Sequence, residues 1–221
     1  MLSNDVTQAP CEALLLTPKG RVIAPLVVVR RGEEDFLLLT EPELGATVIG
    51  ALTRARFAAK AEIEAEEHAS AVVFGETDGI PNREYGEPAV EVLDSGIEPT
   101  ISTEELERMR IEAGTPGWGK EIDDRVLPAE AGLTEHAVSF TKGCYPGQEP
   151  IARLHHRGKA NRGLRVLRLE DAREGDELRY GDKVVGRITS AIDGVGLGYV
   201  RTEVPDDAEL AAGSGTARPL H

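Results

Sequence analysis

Lys142-Gly143-Cys144-Tyr145-Pro146-Gly147-Gln148-Glu149, KGCYPGQE in one-letter code, is the stretch whose reading organises this 221-residue sequence. Gly143 before the cysteine and Pro146-Gly147 after it specify a tight, exposed turn. Cys144 therefore reads as an accessible thiol. The Lys142 ammonium beside it favours the thiolate over the thiol, which makes Cys144 the candidate reactive group; the competing reading is a buried structural cysteine. Gln148 offers two donors and an acceptor, which suits a heterocycle that presents both. A short helix is expected over Glu149 to Arg157, so Lys142, Gln148, Glu149 and Arg153 project from one turn and the helix after it. Glu149 also has a plain explanation, because acids at a helix start complement its dipole.

The motif opens a basic segment. Between Lys142 and Arg168 stand Lys142, Arg153, Arg157, Lys159, Arg162, Arg165 and Arg168 against a single acid, Glu149, in a chain whose net charge is −14. Such an island is a candidate anion site, and equally a set of side chains paired with surrounding acids. His155 and His156 inside it are adjacent and point apart on a helix, so they do not chelate one metal together, and no metal is expected. Upstream, Glu112 ends a predicted helix where a carboxylate is unfavourable, which calls for a partner: an amino-pyrimidine edge, or a neighbouring arginine.

Residues 11–40 read as three strands, CEALLLT, RVIAPLVVVRR and DFLLLT, with Pro25 arguing for an edge, a bulge or a break in the second. Thr40 with Glu43 makes a capping box. The helix it opens carries Leu44, Val48, Ala51, Leu52 and Ala55 on one face and is expected to end near Lys60. Strands follow at 62–68 and 70–75, then a loop-rich stretch with one strand near 89–93. Ser102 with Glu105 is a second capping box, for a helix that stops at Gly114. Residues 114–136 are irregular, and Trp118 marks them as a packed loop. From Gly163 on, short alternating runs separated by Gly and Asp turns read as a small β-barrel. The fold class is α+β: mixed or antiparallel sheet layers with helices, then the barrel.

Hydrophobic residues make up 40% and charged residues 29%, a globular balance. No apolar run approaches the ~20 residues that span a bilayer. The start MLSNDVTQAP lacks the basic and apolar regions of a signal peptide. Two well-separated cysteines, Cys11 and Cys144, form no disulfide or metal pattern, so a reducing cytoplasm is the expectation. The negative charge and an aromatic content of 4% count against a direct nucleic-acid binder.

KGCYPGQE closely resembles the signature of YgfZ-type folate-binding proteins, relatives of the glycine-cleavage T-protein, an aminomethyltransferase. Three further stretches agree: MRIEAGTPGWGKEIDDRVLPAEAGL at 109–133, SNDV at 3–6 with LLLTPKGRVIAPLVVV after it, and VVGRITSA at 184–191 with LGYVR at 197–201. The resemblance implies a folate-binding α+β region over residues 1–160 and a β-barrel over 161–221. It also implies a first strand and helix ahead of Ser3 that the given sequence does not carry. Tetrahydrofolate or a derivative is the implied ligand, with Glu112 on the pterin, Trp118 packed against it and Asn4 near the pocket. The implied functional motif is Lys142, Gly143, Cys144, Tyr145, Gly147, Gln148, Glu149 and Arg153. The basic island would hold the glutamate tail of folate or an acidic partner surface. The implied role is support of iron–sulfur cluster assembly or repair in client enzymes, with an effect on tRNA modification. The alternative is one-carbon transfer of the T-protein kind. Against it, Ala24-Pro25 stand where the T-protein strand carries an acidic pair, and aminomethyl transfer needs charge beside the reacting nitrogen.

Overall fold

A computed structural model describes residues 1–56 and 59–220. In chain order the strands are β1 (Cys11–Leu16), β2 (Val22–Arg30), β3 (Phe36–Leu39), β4 (Ser70–Phe74), β5 (Ile80–Asn82) and β6 (Ala89–Leu93), then β7 (Arg162–Glu170), β8 (Glu177–Tyr180), β9 (Lys183–Ile192), β10 (Val195–Arg201), β11 (Leu210–Ala212) and β12 (Gly215–Pro219). The helices are α1 (Gly45–Ala55), α2 (Thr103–Glu112), α3 (Thr134–Ala137) and α4 (Gln148–Arg157). The chain divides into two compact units. The first comprises 1–68, 123–129 and 133–158, and the second 69–122, 130–132 and 159–221.

The first unit is built on an antiparallel sheet in the order β1-β2-β3. Val22, Ala24, Leu26 and Val28 of β2 are buried and alternate with half-buried residues, the period-2 pattern of a strand with one face on a core. Pro25 pairs with Leu14 of β1, whereas pairing to β3 begins only at Val27. The proline thus lies where β2 has a single neighbour, as its missing N–H requires. This arrangement overturns the expected capping box. The Pro25 carbonyl has no β3 partner, and Thr40 Oγ1 donates to it at 2.9 Å instead of capping a helix. Pro42–Leu44 form a 3-10 turn without a side-chain cap, and α1 follows. It ends at Ala55, short of Lys60; Phe57 and Ala58, in the expected extension, lie outside the described residues. The strand expected at 62–68 is not formed. Four of those residues are glutamates, and Glu66 instead takes a two-pronged contact from Arg31 at 2.7 and 2.9 Å.

The second unit holds an antiparallel sheet in the order β4-β6-β5 and a closed barrel in the order β10-β7-β12-β11-β8-β9. The barrel core is aliphatic, with Leu167, Leu178, Ile188, Val200 and Leu210 fully enclosed. The α+β class and the barrel are therefore as the residue patterns specify. Ser102 does cap α2, its hydroxyl accepting from the Glu105 N–H at 3.1 Å.

A buried polar network joins α2 to the barrel. Arg110 of α2 grips Glu107 through two contacts of 2.9 and 2.7 Å. It also reaches Glu121 at 3.0 Å and Ser190 of β9 at 3.2 Å. Ser190 donates to Glu121 at 2.6 Å, and the Tyr199 hydroxyl of β10 donates to the Glu121 carbonyl at 2.8 Å. Arg110, Glu121 and Ser190 are almost wholly enclosed. Removing the cation strands a carboxylate away from water, so Arg110→Met should lower stability by about 3–5 kcal/mol, read from urea denaturation. The Arg110 guanidinium, helped by Lys120, holds the Glu107 carboxyl down at about 2, below its ordinary 4.5. A carboxyl depressed in the folded state stabilises above its unfolded pKa and loses that contribution as pH falls through the folded one. Stability should therefore decline from about pH 4.5 toward pH 2, and the decline should be shallower in Arg110→Met.

Candidate functional site

The motif loop sits on the turn between β1 and β2. In that turn the Gly20 N–H donates to Thr17 O, and the Arg21 N–H donates to Thr17 Oγ1. Gly20 and Gly147 both take positive φ, +74° and +83°. A Cβ on Gly147 would lie 2.6 Å from Thr17 O and 2.8 Å from Gly20 Cα, so only glycine fits. Gly147 is also the residue from which α4 starts, and it supplies no side-chain cap. The contact between the two glycines thus places the first turn of α4, with Pro150 and Ile151 against Gly20.

The opening segment of the chain braces the other end of the loop. Lys142 Nζ donates to the carbonyls of Leu2 and Asn4, each at 2.8 Å, and lies 5.8 Å from the centre of the Tyr145 ring. Asn4 Nδ2 donates to Glu12 O at 2.7 Å and His136 O at 3.0 Å. Buried Ser3 links β1 to the approach to the motif: its N–H donates to Leu14 O, and its carbonyl accepts from the Ser139 N–H. Tyr145 is buried, and its hydroxyl has no hydrogen-bond partner among the described residues; burial raises the phenol pKa. A buried hydroxyl left in that state invites a further polar partner.

Gly143 and Cys144 project outward between these anchors, and the Cys144 thiol is free and exposed. Cys11 is half-buried on β1; burial first and Asp5 second raise its thiol pKa. On the solvent face of α4, Glu149 and Arg153 pair at 2.7 Å, both largely exposed. Lys142, Cys144, Gln148, Glu149, Arg153 and Asn4 all belong to the first unit, and Glu112 and Trp118 to the second. Glu112 pairs with Arg108 at 2.9 Å on the exposed side of α2. Trp118 is half-buried in a tight loop that bridges to Ile122.

The basic island is divided as well. Lys142, Arg153 and Arg157 lie in the first unit, and Lys159, Arg162, Arg165 and Arg168 in the second. Arg162 pairs with Glu130 at 3.2 Å and covers the Tyr199 ring, and Arg165 pairs with Asp206 at 2.7 Å. Among the described residues no group of three His, Cys, Asp or Glu could hold a metal ion, and no helix is long and apolar enough to cross a membrane.

Residues 162–220 match the family described as CAF17, C-terminal beta-barrel domain. An uncharacterized protein of Haemophilus influenzae is 27% identical over 94% of this chain and 81% of its own length. The tRNA-modifying protein YgfZ of Edwardsiella ictaluri is 44% identical over 33% of this chain, and that alignment spans 24% of the Edwardsiella protein. The glycine cleavage system aminomethyltransferase T of Bartonella henselae superposes with a TM-score of 0.80 at 19% identity, covering 96% of this chain and 74% of that one. The chain has an aminomethyltransferase-like fold, and its barrel is that of the CAF17 C-terminal family.

Two features of the chain were not read from its sequence. The Arg110–Glu121 network gave no signal beyond an arginine near a helix end. A groove along α4 uses Leu127–Ala129, from a stretch that reads only as irregular loop; the recurrence of Ile151 and Leu154 on one face of α4 is the unused signal for it. The loop clamp carries its own prediction. Gly147→Ala combines a left-handed backbone with a backbone clash and should cost about 2–4 kcal/mol. Gly45→Ala, at the open start of α1 where nothing lies within 4 Å of the new Cβ, should leave the thermal midpoint unchanged or slightly raised.

Proposed function

We propose that this chain is a cytoplasmic folate-binding protein of the YgfZ type that supports iron–sulfur cluster assembly or repair in client enzymes, including enzymes of tRNA modification. The observation that carries the reading is the exposed Cys144 thiol, presented by a loop whose neighbouring side chains are engaged in holding it. Lys142 and Asn4 serve by position, since their donors are bonded to backbone carbonyls. Gln148, Glu149 and Arg153 follow the thiol in the first turns of α4. In this reading residues 1–160 supply the folate-binding region and 161–221 the barrel. Glu112 takes the pterin: its exposed i,i+4 contact with Arg108 is of the weak surface kind, and a ligand can replace it. Trp118 offers a ring for packing.

One-carbon transfer of the aminomethyltransferase kind is the second reading, favoured by the fold. Ala24 and Pro25 count against it. Ala24 is wholly enclosed in β2 and Pro25 is a paired strand residue, so neither brings charge to a reacting amine.

Calorimetric titration with reduced tetrahydrofolate tests the proposal. Wild type should bind saturably, Glu112→Ala should lose at least tenfold in affinity, roughly 1.4 kcal/mol, and Cys144→Ala should bind as wild type does. Absence of saturable binding in wild type would overturn the folate assignment. Turnover of an aminomethyl-lipoyl donor should be absent; its presence would move the assignment to the second reading.

A further inference from the structure

The first unit contains a groove of about 430 Å³ between α4 and the segment 127–129. Its walls are Leu127, Pro128 and Ala129 on one side and Pro150, Ile151 and Leu154 on the other, with Arg153, Arg157 and Gly158 completing the lining. The surface is thus apolar with two cations and no acid, in a protein of net charge −14. Arg153 and Arg157 stand four residues apart, so both guanidiniums can face one anion. Arg153 is held by Glu149, in an exposed pair of the weak i,i+4 kind. Arg157 has no hydrogen-bond or ion-pair partner among the described residues.

We propose that this groove is a binding site for a small apolar carboxylic acid, aryl or branched acyl, whose carboxylate meets Arg153 and Arg157 while its body lies against Leu127, Pro128, Ile151 and Leu154. The size supports a small molecule, since such sites span roughly 300–1,000 Å³ and are mainly apolar with a few placed polar groups. A protein partner would need on the order of 20–30 residues a side, far more than this groove supplies. The carbonyl end of α4 opposes an anion with about half a charge, and two guanidiniums outweigh it. The site shares Arg153 with the motif, but Glu112 and Cys144 do not line it, so loss of folate binding in Glu112→Ala and loss of groove binding in Ala129→Phe are separable outcomes.

The test is a fluorescence titration of the full chain with 8-anilinonaphthalene-1-sulfonate, an apolar aromatic anion. The probe should bind at one saturable site, and 4-butylbenzoate should displace it at least tenfold more effectively than the uncharged 4-butylbenzamide. Arg157→Glu, an exposed change, should weaken probe binding at least tenfold with an unchanged melting curve. Ala129→Phe, which fills the groove and leaves both arginines, should do the same. Non-saturable binding, equal displacement by acid and amide, or wild-type affinity in Arg157→Glu would each overturn the proposal.

Discussion

The close approach of Gly147 to Gly20 is the contact on which the motif loop depends. Both residues hold a left-handed backbone, and the carbonyl of Thr17 occupies the space where a side chain on Gly147 would stand. This packing leaves no freedom in where α4 begins. It therefore sets where Tyr145 is buried and where Cys144 emerges, three residues before Gly147. The helix needs no polar N-cap here, because its first turn is positioned by backbone contact with a sheet turn. A loop that carries an exposed thiol would otherwise be free to sample many conformations; here one end is tied to the opening segment of the chain and the other to the turn after β1.

What could be read from the sequence was the chemistry that is local. Gly143, Pro146 and Gly147 announce a turn by their own backbone preferences, and the turn is there. The strand at β2, the short runs after Gly163 and the Ser102 cap are likewise properties of neighbouring residues, and each appears as read. The misreadings share a different cause. Thr40 carried every local mark of a cap, but the Pro25 carbonyl, orphaned by the end of β3 pairing, competed for its hydroxyl and won. Residues 62–68 alternate like a strand, yet Ile63 and Ala65 provide too little apolar surface to hold four glutamates against a sheet. For Arg110, the carboxylate of Glu121 and the hydroxyl of Ser190 become partners only once the barrel closes.

Lys142 shows the same limit inside the candidate site. From the sequence its ammonium reads as an activator of the adjacent thiol. In the structure its hydrogen bonds run the other way, to the carbonyls of Leu2 and Asn4, with the Tyr145 ring alongside. A long flexible side chain goes where unpaired acceptors lie, and sequence spacing does not locate them. Lys142 is thus a brace, and in the loop itself Cys144 remains as the group free to react.

The buried face of β2 bears on what that thiol is for. Ala24 stands fully enclosed between Val22 and Leu26 on the inward face of the strand. An ionised carboxylate there would need a compensating partner to offset its desolvation. Small apolar packing at this position stabilises the sheet without one, but it gives up a charge that aminomethyl transfer would use. The chain has an aminomethyltransferase-like fold with no acid on this stretch of β2, and its exposed thiol, Cys144, lies on the loop that leads into α4. That separation is why the proposed function places folate in a binding role and assigns the chemistry to Cys144.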